Sequence, residues 1–234
     1  METLLDVEDL CCGYGAIPVL HDVSLQVGPG EVVALLGANG AGKTTTLLAI
    51  AGEVPVTTGT VRLDGQPARG PLHRRAKAGL GLVTEERSVF MKLSVADNFR
   101  VAGVDLDKCF ELFPELVARR KLLAGDLSGG EQQMLTLARA LSRSPRVLLA
   151  DELSLGLAPL IVDRLLKTVR RAATEQGVGA LVVEQHVGEI LGYADRICVM
   201  VRGRIEYSGP AAEFKEKRSE IEASYLGATT GAPI

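Results

Sequence analysis

Short, uninterrupted apolar runs recur along the 234-residue chain, without the strict alternation of half-buried strands. Four of these runs stand out: EVVALLG (31–37), RVLLAD (146–151), GALVVEQ (179–185) and RICVMVRG (196–203). Runs of this length and composition are typical of strands that are covered on both faces. Between them, apolar residues recur at helical spacing after Pro159 and again in the stretch EQQMLTLARALSR. This alternation predicts an α/β fold with a mostly parallel, doubly wound sheet.

Residues 3–27 and 57–66 show a different pattern, because their apolar and polar positions alternate more regularly over shorter stretches. Asp64-Gly65, near the end of the second stretch, is a turn signal of the kind that joins antiparallel strands. We therefore expect a small antiparallel sheet beside the parallel core.

Residues 87–126 carry no pattern of a buried strand, and they predict a helical insertion. This insertion belongs to a helical subdomain that we place at about residues 87–140. A charged helix is expected near the C-terminus, at about residues 211–226. We interpret residues 1–234 as a single domain that contains all of these parts.

The composition narrows the class of protein. A formal net charge of −3 gives no basic surface for nucleic acid. The four cysteines lack the CxxC spacing of a metal or redox site, so we expect free thiols in a reducing cytosol. The acidic start METLLDVEDL is not a signal peptide, and no apolar run reaches the ~18 residues of a membrane span. We expect a soluble protein that is still able to dock on a membrane partner.

A glycine-rich loop follows the first buried run. Its sequence GANGAGKT, residues 37–44, matches the pattern G-x-x-x-x-G-K-[ST] of phosphate-binding loops. Glycines let backbone N–H groups approach phosphate oxygens, Lys43 can neutralise the β- and γ-phosphates, and the Thr44 hydroxyl can bind Mg²⁺. The structural alternative is a plain strand-to-helix turn in which glycine only caps the helix. The predicted nucleotide-binding residues here are Gly37, Ala38, Asn39, Gly40, Ala41, Gly42, Lys43, Thr44 and Thr45.

Two neighbouring carboxylates, Asp151 and Glu152, end another buried run. The carboxyl ends of parallel strands are where such sheets bind ligands. Asp151 is predicted to hold Mg²⁺, directly or through water, and Glu152 is predicted to polarise the attacking water. Because two carboxylates beside a nucleotide repel it unless a metal compensates, the pair implies Mg²⁺. The alternative is an ordinary solvated strand end or a helix cap.

The stretch LSGGEQQ, residues 127–133, has two interpretations that can hold together. Ser128, with Glu131 three residues later, has the pattern of a capping box that begins a helix. Gly129 and Gly130 are unfavourable at a helix start unless a ligand must approach closely, and a serine hydroxyl with bare N–H groups makes an anion site. The stretch resembles the signature sequence of ATP-binding cassette (ABC) ATPases. In that family it binds the γ-phosphate of ATP that is held by the other subunit.

The resemblance to ABC ATPases covers essentially the whole chain. It implies a P-loop NTPase fold with a RecA-like, mostly parallel sheet, an N-terminal antiparallel β subdomain and a helical subdomain, and it implies hydrolysis of ATP with Mg²⁺. Tyr14 matches the aromatic position that stacks on adenine, with a surface aromatic as the alternative, and Glu85 stands where most cassettes have glutamine. His186 matches the switch histidine at the γ-phosphate. The resemblance thus implies Glu152, His186 and Lys43 as catalytic residues, Thr44, Glu85 and Asp151 as metal ligands, and Ser128, Gly129 and Gly130 as nucleotide contacts.

The segments GANGAGKTTTL, LSGGEQQMLTLARAL and ELSLGLAP are similar to the shorter ATPase subunit of branched-chain amino-acid importers. The implied partners are a second ABC ATPase subunit in a homo- or heterodimer, transmembrane permease subunits and, indirectly, a substrate-binding protein, without nucleic acid. The implied location is cytoplasmic, peripheral on the inner face of the cell membrane. Thr84, Leu153 and Ala158 depart from the common family residues, and Ala158 puts in doubt a contact across the dimer that an aspartate commonly makes.

Three other functions are weighed against transport by import. A P-loop kinase or GTPase would leave Ser128-Gly129-Gly130 without a role, and the chain has no N-K-x-D motif for guanine. A soluble ABC protein of nucleic-acid maintenance normally has long insertions or paired cassettes. An exporter cassette stays open, because direction and cargo reside in other subunits. In the insertion, Phe90, Met91, Leu93 and Phe99 fit either a permease-binding surface or the core of the helical subdomain.

Overall fold

The computed structural model describes residues 2–185 and 187–221, which form two β-sheets with helices around them. In chain order, the strands of this described part are β1 Leu5–Tyr14, β2 Ile17–Val27, β3 Val32–Leu36, β4 Val56–Leu63, β5 Gln66–Pro67, β6 Leu80–Val83, β7 Val147–Asp151, β8 Gly179–Glu184, β9 Arg196–Val201 and β10 Arg204–Pro210. The helices are α1 Lys43–Ala51, α2 Leu72–Lys77, α3 Val95–Ala102, α4 Leu106–Leu112, α5 Gly129–Leu141, α6 Pro159–Gln176, α7 Val187–Ile190, α8 Ala211–Glu216 and α9 Arg218–Ile221. Two 3₁₀ turns span Pro114–Leu116 and Ala124–Asp126.

The central sheet has six strands in the order β10-β9-β3-β8-β7-β6. Neighbouring strands are parallel except for β10, which pairs antiparallel with β9. The four apolar runs are all strands of this sheet, so the predicted α/β fold with a mostly parallel sheet is confirmed. The edge strands β6 and β10 were not predicted. β6 has two buried residues and β10 has one, so their sequences show too little of the apolar pattern that predicts a buried strand.

The second sheet has the order β2-β1-β4-β5, and all of its pairs are antiparallel. Its hairpin between β4 and β5 turns at Asp64 and Gly65, whose φ angles of 52° and 72° are both positive. A tight two-residue turn requires this combination, and Asp-Gly adopts it readily. The antiparallel sheet expected beside the core is therefore confirmed.

The region between β6 and β7 is helical, with α3, α4 and α5 joined by the two 3₁₀ turns. Ser94 caps α3 by accepting a hydrogen bond from the Asp97 N–H, and Asp105 caps α4 in the same way. This outcome agrees with the helical insertion, while the subdomain limits and the single-domain division stay predictions. Phe99 is fully buried, whereas Phe90 and Met91 are about half exposed. Phe99 therefore belongs to the core and does not offer surface to a partner.

The prediction of one continuous C-terminal helix at 211–226 is wrong. The described part has two short helices, α8 and α9, that are separated at Lys217, and residues 222–226 lie outside the described residues. Phe214 and Ile221 are buried, whereas the charged residues between them are exposed. Helices this short depend on packing of an apolar face, and here that face is interrupted.

The core explains why the sheet strands read as continuous apolar runs. Val32, Ala34 and Leu36 of β3 pack into one apolar cluster with α5 and α6. Val33 and Leu35 pack into a second cluster, which contains α1 and the antiparallel sheet. Alternate residues of one strand thus serve two cores, so no position can be polar. The carboxyl ends of β3, β7 and β8 lie side by side at one edge of this rigid sheet.

No helix among the described residues combines the length and the apolar character that crossing a bilayer requires. All four cysteines are free thiols, as expected from their spacing.

Candidate nucleotide-binding site

The glycine-rich loop leaves the carboxyl end of β3 and runs directly into α1. Gly42, the residue before α1, has φ 110°, and no side chain caps the helix start. A Cβ at Gly37 would lie 2.5 Å from the carbonyl oxygen of Met200, so only glycine fits there. The first N–H groups of α1 are therefore left for a ligand, and a helix N-terminus attracts anions.

Lys43 lies under this loop with a side chain that is only 4% exposed. Its Nζ donates hydrogen bonds to the carbonyl oxygens of Gly37 (2.9 Å) and Ala38 (3.2 Å). Its Nζ is also 3.8 Å from the Glu152 Oε1. The ammonium group is thus held at the floor of the loop, where the loop amides also converge.

A turn between β9 and β10 braces the loop from outside. The Gly203 N–H donates to the Ala41 carbonyl oxygen (2.8 Å), and the His21 N–H donates to the Gly203 carbonyl oxygen (2.9 Å). A Cβ at Gly203 would lie 1.9 Å from the Val19 carbonyl oxygen. Gly203 therefore links the loop to β2 of the antiparallel sheet. Sequence reasoning did not find it, because a glycine in a β-turn is common.

Three carboxylates converge at the carboxyl end of β7. Asp151 is 4% exposed, and burial raises its pKa to about 6. The nearby charges of Glu152 and Glu85 also contribute to this raised pKa, while a hydrogen bond from Thr44 and the charge of Lys43 act in the opposite direction. The Asp151 Oδ1 is buried without a hydrogen-bond partner among the described residues. The three carboxylates together therefore have an excess of negative charge, and one of their oxygens, the Asp151 Oδ1, is unsatisfied within the described part of the chain.

This arrangement fits a magnesium ion. The available donors are the Thr44 hydroxyl and the carboxylates of Asp151 and Glu85, all hard oxygen ligands of the kind that Mg²⁺ prefers. Within residues 2–185 and 187–221, no three His, Cys, Asp or Glu side chains are arranged to hold a metal by themselves. Mg²⁺ in nucleotide sites commonly uses one or two carboxylates and takes its other ligands from phosphates and water.

Glu152 has a left-handed backbone conformation with φ 46°. Its N–H donates to the Val183 carbonyl oxygen of β8 (3.0 Å), and its side chain faces Lys43. Behind it, the Ser154 N–H and hydroxyl both donate to the Glu184 carboxylate, at 3.2 Å and 2.6 Å. Glu184 was missed by sequence reasoning, because the sequence shows only a single acid in an apolar strand.

The glycine-rich loop, Glu85 and Glu152 line one open cavity of about 440 Å³, a volume in the range of ligand sites, whereas Asp151 is not among its lining residues. Tyr14, at the end of β1, is 53% exposed at its rim. The cavity is lined by Tyr14, Val19, Asn39, Gly40, Gly42, Lys43, Thr44, Thr45, Glu85, Glu152, Leu155 and Gln185. Most of the predicted residues thus come together, while Val19, Leu155 and Gln185 were not predicted. His186 lies outside the described residues.

Ser128, Gly129 and Gly130 are not among the residues that line this cavity. They form the start of α5 as a complete capping box: the Ser128 hydroxyl accepts from the Glu131 N–H, and the Glu131 carboxylate accepts from the Ser128 N–H (2.9 Å). The predicted cap is therefore confirmed. Within one chain, these three residues are separate from the cavity that the phosphate loop lines.

Gly129 and Gly130 each have a packing reason as well. A Cβ at Gly129 would lie 2.9 Å from the Arg87 Nη1, and a Cβ at Gly130 would lie 2.8 Å from the Ile161 Cγ2. The Thr136 hydroxyl donates to the Arg87 carbonyl oxygen (2.5 Å), which fixes the loop after Glu85 to α5. Arg87 was also missed, because an arginine in a charged loop carries no distinctive sequence signal.

Comparison with known proteins gives the same picture. The model of the family described as ABC transporter matches residues 20–154, more than half of the chain. The high-affinity branched-chain amino acid transport ATP-binding protein BraG of Pseudomonas aeruginosa is 38% identical over 96% of this chain and 100% of that protein. The lipopolysaccharide export system ATP-binding protein LptB of Acidithiobacillus ferridurans is 35% identical over 97% of this chain and 98% of that protein.

A solved structure supports the fold. The dimeric structure of a post-hydrolysis state of an ATP-binding cassette, bound to ADP and phosphate, superposes with a TM-score of 0.80. The match covers 88% of this chain and 98% of that chain, at 21% sequence identity. Similarity at this level supports the fold alone.

Proposed function

This chain belongs to the ABC transporter family of ATP-binding proteins and is an ATPase, and we propose that it drives import of branched-chain amino acids or related small amides. The observation that supports this choice of cargo is the 38% identity with BraG over nearly the full length of both chains. The 35% identity with LptB supports lipopolysaccharide export as a second candidate.

We infer that ATP binds with its phosphates on the loop of residues 37–44 and its adenine against Tyr14. Lys43 and the free N–H groups at the start of α1 supply the positive charge. The exposed ring of Tyr14 at the cavity rim supplies an apolar face for a base.

Thr44, Asp151 and Glu85 would hold Mg²⁺. When bound, the ion offsets phosphate charge and relieves the repulsion among the carboxylates at the end of β7. The Thr44 side chain already forms a hydrogen bond with Asp151, which keeps these two proposed ligands together.

Glu152 is proposed to accept the proton of the water that attacks the terminal phosphate, with His186 contacting that phosphate. Two observations favour Glu152: it lines the cavity, and Lys43 lies 3.8 Å from its carboxylate. A carboxylate that lines the cavity is placed to act as a general base.

The site is completed by a second cassette. We propose that Ser128, Gly129 and Gly130 of one subunit contact the γ-phosphate bound by the other, because within one chain they lie away from the cavity. ATP then stabilises the closed dimer through both subunits. Hydrolysis removes that link and favours opening.

We propose that permease subunits bind at a separate groove of about 350 Å³ between the sheet and the helical region. Leu72, Leu82, Phe90 and Val101 line this groove, and Phe90 is 48% exposed. The chain would then lie at the cytoplasmic face of the membrane, and a substrate-binding protein would act through the permeases. The loop after Glu85, held by Arg87 and Thr136, connects groove and cavity.

The variant Glu152→Gln tests the chemistry. We expect it to bind ATP normally, to hydrolyse at least about 100-fold more slowly, and to accumulate as a dimer with ATP, because the amide cannot take a proton. Binding is measured by titration with a fluorescent ATP analogue, hydrolysis by phosphate release, and dimers by light scattering. Undiminished turnover would contradict the role of Glu152.

Cargo is tested by copurifying the chain with its membrane partners and placing the complex in lipid vesicles. Leucine, isoleucine or valine, delivered with the binding protein, should stimulate ATP hydrolysis if the chain serves import. Stimulation by lipopolysaccharide instead would establish the second candidate.

A further inference from the structure

Glu184 is a fully buried carboxylate at the last position of β8. Both of its oxygens accept hydrogen bonds from one residue, Ser154: Oε2 from the hydroxyl (2.6 Å) and Oε1 from the N–H (3.2 Å). Ser154 is itself only 6% exposed. The contact therefore joins two buried residues that are thirty positions apart in sequence.

Ser154 lies in the turn that follows Glu152. Two backbone hydrogen bonds shape this turn, from Leu155 N–H to the Glu152 carbonyl oxygen (3.2 Å) and from Leu157 N–H to the Ser154 carbonyl oxygen (3.1 Å). Glu152 itself has φ 46°, a conformation that a residue with a side chain keeps only when its surroundings impose it. The Glu184 carboxylate is a side-chain contact that holds the turn directly after Glu152.

Glu184, the other partner in the contact with Ser154, is also next to a residue of the cavity. Gln185, the residue after Glu184, lines the cavity, and His186 follows in sequence. Glu184 is thus placed between the segment that carries Glu152 and the segment that carries the switch histidine.

A carboxylate is an unfavourable choice for this position if it serves packing alone. The pKa of Glu184 is raised to about 7, mainly by burial and in part by the charges of Glu189 and Glu152, against the hydrogen bonds from Ser154, which lower it. A leucine would avoid the burial of a charge among two other acids. Unfavourable polar groups beside a reaction site are typical of functional positions.

We propose that Glu184 is a positioning residue, which holds Glu152 in its hydrolytic conformation by fixing Ser154 to the end of β8. The proposal rests on the proposed role of Glu152 as the base. It assigns to Glu184 no contact with ATP, so its loss should slow hydrolysis without weakening nucleotide binding.

The experiment compares Ser154→Ala, Glu184→Leu and the double variant in the full chain. For each, kcat per folded molecule and the Kd for MgATP are measured separately, with folding checked by thermal unfolding. We expect kcat to fall about fivefold in Ser154→Ala and about tenfold in Glu184→Leu, as loss of one or two hydrogen bonds predicts, with Kd within about twofold. Because both variants remove the same contact, the double variant should be no slower than Glu184→Leu.

Two further variants separate positioning from structure. Glu184→Gln can keep both contacts, with its Oε1 accepting from the Ser154 N–H and its Nε2 donating to the hydroxyl, so it should restore most of the kcat. Ser142→Ala removes a hydroxyl whose side-chain contact is to Cys109 (3.0 Å), at a position outside the cavity lining, and should leave kcat unchanged.

An unchanged kcat in Ser154→Ala, additive losses in the double variant, or equal losses in kcat and affinity would overturn the proposal. Because Ser154→Ala alone decides the matter, a Glu184→Leu protein that does not fold leaves the test valid. Failure of the proposed function has a different signature: the wild-type chain would then hydrolyse ATP at the same rate as Glu152→Gln.

Discussion

The two helices whose N-termini are proposed to meet ATP begin in opposite ways. At α1, Gly42 provides no side-chain cap, and the first turn carries no acid. At α5, Ser128 and Glu131 form a closed capping box in which each side chain bonds the other's backbone. The N-terminus of α1 is open, whereas at α5 the N–H groups of Ser128 and Glu131 already have side-chain partners.

This difference implies an order of binding. ATP can bind the start of α1 without displacing any side chain, because the loop leaves its N–H groups free. At α5 the ligand must compete with the Glu131 carboxylate, which accepts a hydrogen bond of 2.8 Å from the Ser128 hydroxyl. On the proposed dimer, we therefore expect most of the affinity for ATP to come from α1 and its loop, with α5 of the partner subunit adding its contacts afterwards.

The largest effect is expected at α1, whose N-terminus is open. Lys43→Met removes the buried ammonium group but keeps the apolar stem, so the affinity of the single chain for ATP should fall about 100-fold, or about 3 kcal/mol. Titration with a fluorescent ATP analogue measures this loss. Lys77→Met, which changes an exposed lysine at the end of α2, is the matched control and should bind like wild type. Equal affinities for Lys43→Met and Lys77→Met would refute the assignment of affinity to α1.

The closed helix should respond differently. Ser128→Ala should leave the ATP affinity of the single chain unchanged, weaken ATP-dependent dimers about tenfold, and cost about 1 kcal/mol of stability through the lost cap. Ser128→Asp separates the two roles, since aspartate caps well but repels phosphate. We expect it to keep the hydrogen bond from the Glu131 N–H but not the one to the Glu131 carboxylate, and to lose the dimer more completely than alanine does. Light scattering with ATP and urea unfolding measure both. If Ser128→Asp formed dimers like wild type, Ser128 would not face phosphate.

The same contrast shows what a sequence can reveal. The phosphate loop and the pair Asp151-Glu152 were predictable, because their residue types must stand at fixed spacing and follow a buried strand. The capping box at Ser128 was predictable for the same reason: its two partners are three residues apart. The parallel sheet was also predictable, since each strand is buried on both faces and its apolar run is uninterrupted.

The contacts that support these motifs were not predictable. Glu184 meets Ser154 across thirty positions, and Gly203 meets Ala41 across an even longer separation. Arg87 packs on Gly129 from a loop with no apolar pattern. Such contacts depend on which strands become neighbours in the sheet, and a single sequence does not encode that order in any local pattern.

The smallest effect is expected in the pH dependence of stability at the capping box of α5. A hydrogen bond from Arg119 holds the pKa of Glu131 below 4.5, burial opposes this, and the hydrogen bonds from Ser128 add to it. Because the folded-state pKa is lowered, the ionised carboxylate stabilises the fold above pH 4.5, and that stability is lost as the pH falls through the lowered value. Glu131→Gln keeps the pattern of the box without the charge. Wild type should therefore be more stable than Glu131→Gln by about 0.5 kcal/mol near pH 7, and the difference should shrink near pH 4. Urea unfolding at both pH values measures it. The start of α1 has no acid to titrate, so a difference that stayed constant with pH would show that charge at Glu131 does not distinguish the two helices.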